Sequence, residues 1–417
     1  MSYAAVQQST VETLLGDARG RCVAITGQNL SGRTRLLQRA VNINRGQSAR
    51  PCAYIGPEIY TGISSLSMTV RDELELHLTG SPHRESVWRL LDEWGLISHL
   101  DQNPFTLSGG EQAALVLLCK LALNPTVLAI DCAFEQLDLN KKSATLAVLA
   151  SGEFGDTATL LADNRLSEAS DCRELRHISG YQLAEIEDKL PLQSINPDAL
   201  KTAPPKNSGP LRLRRLSFRY KNSIDAALRG IDCDLEPGRI YHLRGKNGAG
   251  KSTLARLLCG VLRSESGTIE FANRKINPWK HPGQIAAYHF QNPDMQLFAT
   301  TVQEELNAGI RAIHQPVPDD VLASCGFADV LRCHPMDLPF VIRKRLALFA
   351  VLTRDVPWLV IDEPTIGQDD ATCSSIARIL ESKAESGMGI ILITHSEEFP
   401  KRLPVTALML ENGAIVR

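Results

Sequence analysis

The sequence predicts an α/β fold that the chain builds twice, and three observations support that prediction. Each half carries a glycine-rich loop between a strand-like and a helix-like segment, at residues 27–34 and 245–252. Each half also carries a short apolar run that ends in aspartate, LAID at 128–131 and LVID at 359–362. These pieces recur in the same order and at near-equal spacing. Because such apolar runs are typical of buried parallel strands, we expect a mostly parallel sheet in each half.

Similarity between the halves sets the domain boundaries. GRCVAITGQNLSGRTRLLQ, which begins at Gly20, matches GRIYHLRGKNGAGKSTLAR, which begins at Gly238. The 417 residues are enough for two domains, and we expect an N-terminal domain at 1–188 and a C-terminal domain at 211–417. Between them, residues 189–210 are rich in proline and predict an extended linker.

The composition excludes several classes of protein. Lys and Arg number 45 against 47 Asp and Glu, a net charge of −2, whereas a protein that binds a nucleic-acid backbone usually carries a basic excess. No stretch approaches the roughly 18 apolar residues of a membrane-spanning helix, and no signal-peptide pattern opens the chain. The ten cysteines include no CxxC and predict reduced thiols in a cytosolic protein. A role at a membrane would therefore need a partner that spans it.

The second glycine-rich loop, GKNGAGKS, fits the phosphate-binding pattern GxxxxGK[ST] and follows the strand-like RIYHL. We expect a helix after it, over 254–262, as over 36–41 after the first loop. Glycines let backbone N–H groups surround a phosphate, and a helix start favours an anion. Lys251 would then reach the β- and γ-phosphates, and Ser252 would bind Mg²⁺. The predicted nucleotide-binding residues of this segment are Gly245, Asn247, Gly248, Gly250, Lys251, Ser252 and Thr253.

Two acids close the second apolar run. Asp362 suits Mg²⁺, through a water, and Glu363 is placed to polarise an attacking water. An apolar run that ends in Asp-Glu is a weak signal alone, because strand ends often carry acids. Since it follows a phosphate-binding loop, it predicts a nucleoside triphosphatase.

These residues resemble the ATP-binding cassette (ABC) family, and the resemblance covers nearly the whole chain. It implies two P-loop NTPase domains of the ABC type that use ATP and Mg²⁺ and pair head to tail. Each would have a mostly parallel core sheet, a small antiparallel β part and a helical subdomain. It also implies that Tyr220 stacks on adenine, that Gln291 links the catalytic metal and water to a membrane partner, and that His395 contacts the γ-phosphate.

The first half keeps LSGGEQ at 107–112, which resembles the ABC signature motif. Ser108, Gly109 and Gly110 offer a hydroxyl and two small residues at a helix start, an open anion site. In this family each ATP lies between the phosphate loop of one domain and the signature of the other. The resemblance therefore implies that Ser108 binds ATP and completes the catalytic site of Lys251.

The first half departs from the family elsewhere. Arg33 replaces the lysine of the phosphate loop, and its planar guanidinium is a poor substitute for a compact ammonium. Cys132 stands where the second half has Glu363, and a thiol is a poor base for water at pH 7. Further replacements are Pro57 near the position of Gln291, and Asn164, or Asp163 in a register shifted by one, at the position of His395.

The second half has lost the signature instead. Pro339 replaces the serine and has neither a hydroxyl nor an N–H, while Phe340 and Val341 replace the glycines and would crowd a phosphate. Head-to-tail pairing would thus place every loss in one composite site, and the other would hydrolyse ATP. We interpret the basic residues that follow as a solvated helix face rather than a nucleic-acid patch; they are Arg343, Lys344 and Arg345.

The stretch FQNPDMQLFATTVQEEL at 290–306 resembles one branch of the family, the ATPases of energy-coupling factor transporters and their cobalt or nickel relatives. The resemblance implies a cytoplasmic subunit, peripheral on the inner face of the cell membrane. It also implies two partners, a transmembrane coupling protein and a separate substrate-binding membrane protein, and no nucleic acid. The usual cargo of the branch is a vitamin, a vitamin precursor or a transition metal.

Two alternatives stay open. The chain could be the fused ATPase of another importer, such as the sugar type, although those chains tend to be longer. It could instead be a soluble ABC protein that acts on ribosomes or DNA. The sequence lacks an iron–sulfur cysteine cluster, a long charged linker and a basic excess, and these absences disfavour the soluble class.

Overall fold

The structure is a computed structural model that describes residues 8–25, 32–45, 48–137, 139–163, 208–221, 225–246, 248–308 and 326–416. The chain divides into two compact units, Met1–Leu190 and Pro191–Arg417. Of the predicted linker at 189–210, residues 189–207 lie outside the described residues. Within the described ranges, no helix combines the length and the apolar character that crossing a bilayer requires.

A four-stranded parallel sheet forms the centre of the first unit in the ranges described. Its strands are β1 Cys22–Ile25, β2 Cys52–Ile55, β3 Val127–Asp131 and β4 Ala158–Ala162. They lie in the order β1-β4-β3-β2 and pair in parallel throughout. Leu128 and Ile130 enter one apolar core, whereas Val127 and Ala129 enter another. The sheet is therefore covered on both faces, which explains why its strands read as continuous apolar runs.

Helices cover both faces of this sheet. They are α1 Gln8–Ala18, α2 Arg33–Asn44, α3 Val70–Leu78, α4 Arg84–Glu93, α5 Gly109–Ala122 and α6 Leu139–Ala150. We expected a small antiparallel β part in this half, but α1 occupies the chain before β1. Val11, Leu14 and Ala18 recur at helical spacing and are fully buried, so this segment covers the sheet as an amphipathic helix.

The second unit contains a six-stranded sheet and a small antiparallel sheet among its described residues. The strands are β5 Leu211–Phe218, β6 Leu228–Leu235, β7 Ile240–Arg244, β8 Ser266–Phe271, β9 Arg274–Ile276, β10 Ala286–His289, β11 Trp358–Asp362, β12 Gly389–Ile393, β13 Val405–Glu411 and β14 Ala414–Val416. The larger sheet has the order β10-β11-β12-β7-β13-β14 and is parallel except for β14. The smaller sheet has the order β6-β5-β8-β9. The expected combination of a parallel sheet and an antiparallel part is present here.

The order of the central strands is the same in the two units. The order β2-β3-β4-β1 of the first unit corresponds to the order β10-β11-β12-β7 of the second, with each strand matching the one at the same place in the other series. In both, the strand before the glycine-rich loop lies beside the strand that follows the aspartate-ending strand. The similarity between the halves therefore extends from the sequence to the strand topology.

Four α-helices lie among the described residues of the second unit. They are α7 Lys251–Leu258, α8 Val302–Ala308, α9 Phe340–Leu352 and α10 Asp370–Glu385. We expected the helix after the loop at 254–262, but it begins at Lys251, directly after Gly250 in the left-handed conformation. It ends before Gly260, where φ is +78° and a Cβ would lie 2.2 Å from the Pro278 carbonyl oxygen. Only glycine fits that close approach, which ends the helix early.

The prediction that residues 343–345 form a solvated helix face is wrong. Helix α9 is buried almost all round, including Arg343, Lys344 and Arg345. Arg343 pairs with Asp294 at 2.8 Å, and Arg345 donates to the Thr372 hydroxyl at 3.0 Å. The partners come from distant parts of the chain, so these charges are buried because tertiary contacts satisfy them.

Gly389 provides a test of the packing of the central sheet. A Cβ there would lie 2.4 Å from the Trp358 ring, which is fully buried. We predict that Gly389→Ala lowers the free energy of unfolding by about 1–3 kcal/mol, because the ring has to move within a packed core. Urea unfolding of the full chain measures this. The Gly389→Ala/Trp358→Phe double variant should lose less than the sum of the two single losses; strict additivity would show that the ring contact is not the cause.

Candidate functional site

The glycine-rich loop of the second unit runs from β7 to α7. Gly245 has φ +153°, and a Cβ on it would lie 2.3 Å from the Leu410 carbonyl oxygen. Gly250 has φ +104°, and a Cβ there would lie 2.6 Å from the Ala227 carbonyl oxygen. The loop is therefore held tightly against neighbouring backbone by residues that lack a side chain. Gly248 also has a positive φ, of +77°, and the predicted Asn247 lies outside the described residues.

Lys251 is the first residue of α7, and its ammonium lies inside the loop. Its Nζ donates to the carbonyl oxygens of Gly245 at 2.7 Å and Lys246 at 3.1 Å. Burial lowers the pKa of Lys251, while the charges of Glu363 and Asp362 oppose that shift. The cation is thus placed where a phosphate enclosed by the loop would meet it.

Asp362 ends β11 and is buried. Its Oδ2 accepts hydrogen bonds from Ser252 Oγ at 3.1 Å and from the Tyr288 hydroxyl at 2.8 Å. Burial, together with the charge of Glu363, raises the pKa of Asp362. The hydroxyl of Ser252 and the carboxylate of Asp362 are hard oxygen donors within hydrogen-bond distance of each other. This donor set fits Mg²⁺, which prefers such ligands.

Glu363 follows directly and has a left-handed backbone, with φ +49°. Its N–H donates to the Ile393 carbonyl at 2.8 Å. Its carboxylate accepts from the backbone N–H of His395 at 2.6 Å and from the Thr394 hydroxyl at 3.0 Å, and the His395 ring lies 4.0 Å away. The structure therefore brings Glu363 and His395 together. A left-handed non-glycine residue held by several bonds is typical of a functional site.

Tyr220 and Gln291 are the two remaining site residues predicted in the second unit. The Tyr220 ring is 39% exposed and packs edge-on against Phe218, with the centroids 4.9 Å apart. Its hydroxyl lies 3.1 Å from Thr253 Oγ1 in the first turn of α7, so an exposed aromatic face stands beside the loop. Gln291 follows β10, the neighbour of β11, and its backbone carbonyl accepts a hydrogen bond from Lys344.

Sequence reasoning missed Tyr288, His289 and Thr394. Tyr288 and His289 interrupt the apolar run of β10, and such residues in a buried strand are the signal that could have identified them. Tyr288 bonds the Asp362 carboxylate, and Nδ1 of His289 lies 3.1 Å from the Asp362 carbonyl oxygen. Thr394 had no sequence signal, because its partner Glu363 lies far from it in the chain.

The helix start predicted in the first unit is present. Ser108 caps α5 in a capping box: its hydroxyl and N–H both donate to the Glu111 carboxylate, at 2.7 and 2.8 Å. Gly109 and Gly110 form the first turn and place no side chain before the helix axis. The corner is thus polar and open, as an anion site requires. Its pairing with Lys251 stays a prediction.

The corresponding edge of the first-unit sheet has the same framework and different chemistry. The Tyr54 hydroxyl donates to Asp131 at 3.0 Å, as Tyr288 does to Asp362. Cys132 has φ +53°, close to the +49° of Glu363, and burial raises the pKa of its thiol well above the ordinary value.

Positively charged groups also reach this edge. Arg33 begins α2 after Gly32 and is buried, whereas residues 26–31 of its loop lie outside the described residues. Asp163 follows β4 and is held by the buried Lys142 at 2.8 Å. The predicted Asn164 is also outside the described residues, and Pro57 lies two residues after β2.

Comparisons with known proteins show which proteins the chain resembles. Residues 228–366, within the second unit, match the family model described as ABC transporter. A putative ABC transporter ATP-binding protein of Methanosarcina acetivorans is 27% identical over 381 residues, which cover 84% of this chain and 71% of the relative. The energy-coupling factor transporter ATP-binding protein EcfA1 of Thermotoga maritima is 32% identical over 211 residues, 49% of this chain and 80% of the relative. The solved structure of cbiO1 from Clostridium perfringens, described as part of the ABC transporter complex cbiONQ, has a TM-score of 0.42 at 28% identity and covers 50% of this chain and 86% of that one.

His289 gives a pH prediction for the site. Burial holds the pKa of His289 well below its usual value, so the folded state keeps the ring neutral while the unfolded chain takes up a proton below about pH 6.5. Protonation of the unfolded state removes stability as the pH falls. We predict that His289→Asn reduces the loss of unfolding free energy between pH 7.5 and pH 5.5 by about 1.4 kcal/mol, one pKa unit's worth.

Urea unfolding at the two pH values measures this difference. His281→Asn, at an exposed position of the same unit, is the matched control and should keep the wild-type pH dependence. Equal pH dependence in the His289 variant and the wild type would contradict the assignment.

Proposed function

The chain belongs to the family of ABC transporter ATP-binding proteins, which hydrolyse ATP, and we propose that it does so at the carboxyl edge of the second unit's parallel sheet. The observation that carries this proposal is the convergence of Lys251, Ser252, Asp362 and Glu363. The first two residues come from the loop and the last two from the end of β11. Each supplies a different group that phosphoryl transfer needs.

The roles follow from the chemistry of the side chains. Lys251 binds the β- and γ-phosphates as a compact charge. Ser252 and Asp362 would hold Mg²⁺, which neutralises phosphate charge when bound. Glu363, fixed by two hydrogen bonds, orients the attacking water and accepts its proton. His395, bonded to Glu363 through its backbone, contacts the γ-phosphate.

Two further residues of the second unit belong to the proposed ATP site. The exposed ring of Tyr220 stands beside the first turn of α7 and stacks on the adenine ring. Gln291 lies in the loop after β10, and we assign it the link from the catalytic metal and the attacking water to the membrane partner. Through this side chain, binding of the partner would affect the rate of ATP hydrolysis.

We assign the remaining part of the active site to the first unit, through Ser108. The two helices at matching positions, α5 and α9, differ in their first turns. Ser108 caps α5 with its side chain, whereas Pro339 gives α9 no side-chain cap and is followed by the buried Phe340. A phosphate could approach only the first of these helix starts. We therefore propose one catalytic composite site, from Lys251 and Ser108, and one degenerate site that includes Arg33.

Loss of the general base provides the main test. Glu363→Gln keeps the shape of the side chain but cannot accept a proton, and Lys251→Ala removes the phosphate-binding charge. We predict that each lowers the steady-state rate of ATP hydrolysis at least 100-fold. A phosphate-release assay on the purified chain measures this, and circular dichroism checks the fold of each variant.

The composite site is tested by a pair of variants in the first unit. Ser108→Arg fills the open helix start and should abolish turnover, whereas Arg33→Ala alters the degenerate site and should keep most of it. An inactive but folded Arg33→Ala variant would contradict the assignment of the two sites. Full activity of Ser108→Arg would contradict the pairing with Lys251.

We propose further that the ATPase drives an importer of the energy-coupling factor type, with a vitamin, a vitamin precursor or a metal as cargo. The stretch at 290–306 and the similarity to the energy-coupling factor protein of Thermotoga maritima support this. Met295 and Phe298 in that stretch are 65% and 69% exposed, and Leu66 and Met68 of the first unit are 85% and 75% exposed. Exposed apolar side chains on a loop are typical of a docking site. A transmembrane coupling protein, with a separate substrate-binding membrane protein, would cover them at the inner face of the membrane.

Polar substitution of the exposed loop tests the docking. We predict that Met295→Ser/Phe298→Ser weakens binding to the coupling protein at least tenfold, because these apolar groups are buried on binding, and leaves the ATPase rate of the isolated chain unchanged. Co-purification with solubilised membrane protein measures binding. Trp279→Ser, at another exposed apolar position of the unit, is the matched control. Normal co-purification of the double variant would exclude this loop as the docking site.

A further inference from the structure

Lys344 is a buried charge of the second unit that the proposed catalytic roles do not use. It lies in the second turn of α9 and is only 1% exposed. Its ammonium donates to two successive backbone carbonyls, that of Phe290 at 3.2 Å and that of Gln291 at a shorter distance. A lysine buried in an apolar core therefore holds the loop that carries the predicted catalytic glutamine.

Two other contacts join the same loop to the same helix. Gln296 accepts from the Phe290 N–H at 3.2 Å and donates to the Ala347 carbonyl at 2.6 Å. Asp294 forms a mostly buried ion pair with Arg343 at 2.8 Å. Residues 290–296 are thus attached to α9 at three points along the loop. The loop cannot move relative to the helix without breaking one of them.

The charge of Lys344 also interacts with the carboxylates of Asp362 and Glu363. Desolvation lowers the pKa of Lys344 to about 8, and the charges of Asp362 and Glu363 work against that shift. An ammonium without opposite charge nearby would be costly to bury. The two carboxylates at the end of β11 therefore help to keep the lysine in place, and the lysine in turn links them to the loop.

The first unit provides an internal comparison. At the same distance before Asp131, helix α5 carries Ala113, which has no donor. The loop after β2 has Pro57 near the position where the second unit has Gln291. The lysine and the glutamine are thus present together in one half and absent together from the other.

We propose that Lys344 is a positioning residue, which holds the loop by its carbonyls so that the Gln291 side chain faces the reacting centre. The inference rests on the proposed role of Gln291 in ATP hydrolysis. Helix α9, which has no usable signature sequence, acts in this way as a support for the catalytic loop of its own unit. Lys344 touches no substrate and acts through Gln291.

Substitutions at position 344 test this proposal in the full chain. Lys344→Met keeps an unbranched apolar side chain and removes all donors, whereas Lys344→Gln restores N–H donors. We expect Lys344→Met to lower kcat for MgATP at least tenfold while the Kd for ATP stays within twofold, and Lys344→Gln to recover part of the loss. Steady-state kinetics and calorimetric ATP binding measure the two quantities. Lys383→Met, at another buried lysine of the same unit, is the matched control and should keep kcat.

A double-mutant cycle separates positioning from general stability. If Lys344 acts through Gln291, adding Lys344→Met to Gln291→Ala should lower kcat by no more than twofold beyond Gln291→Ala alone. Equal fractional losses of kcat in both backgrounds would overturn the proposal. So would a kcat of Lys344→Met within twofold of the wild type.

Two further variants keep the outcome decisive. Should Lys344→Met not fold, Gln296→Leu removes the parallel contact with Ala347 and should lower kcat with unchanged ATP binding; normal kcat there would overturn the proposal. Glu363→Gln separates the positioning role of Lys344 from the proposed function of the site. If it is inactive and Lys344→Met is fully active, only the positioning role fails; if Glu363→Gln is active, the proposed catalytic centre itself fails.

Discussion

The Asp362 carboxylate, buried at the end of β11, is the constraint on which the second unit's site depends. A carboxylate taken out of water costs several kcal/mol unless donors and opposite charges surround it. The structure supplies hydroxyl donors from Ser252 and Tyr288 and places two lysines, Lys251 and Lys344, within electrostatic reach. These residues come from three elements: Lys251 and Ser252 from α7, Tyr288 from β10 and Lys344 from α9. One buried charge therefore collects groups from the loop, β10 and α9 around the end of β11, at the proposed catalytic centre.

The first unit shows what remains when the framework is kept and the chemistry is changed. Tyr54 bonds Asp131 as Tyr288 bonds Asp362, and Cys132 has the left-handed backbone of Glu363. However, a buried ion pair between Lys142 and Asp163 lies at the carboxyl edge of the first unit's sheet. Backbone geometry is set by strand pairing and survives such side-chain changes, whereas proton transfer depends on a single functional group.

The sequence predicted the features that local patterns determine. Apolar runs identified β3 and β11, because strand burial leaves a signal within a few residues. The glycine-rich loop indicated that a helix follows it, although α7 begins at Lys251 and not at the predicted residue 254. The prediction for residues 343–345 was wrong because their partners lie elsewhere in the chain, and adjacent charges in a helix normally indicate solvent. Thr394 was missed for the same reason. Helix α1 was not predicted at all, since the resemblance suggested strands there.

The different uses of two matching helices follow from their first turns. In α5 the Ser108 hydroxyl accepts from the Glu111 N–H, and the Glu111 carboxylate accepts from the Ser108 N–H. Gly109 and Gly110 place no side chain over this first turn, which is therefore polar and unobstructed. In α9 a proline precedes an apolar first turn, and burial of that turn is favourable. Because Phe340 is buried, the next turn of the helix lies in the core as well. A buried ammonium needs hydrogen-bond acceptors, and Lys344 donates to two backbone carbonyls of the loop after β10. The helix start without a side-chain cap and the contact of Lys344 with the loop after β10 are therefore two consequences of the same packing.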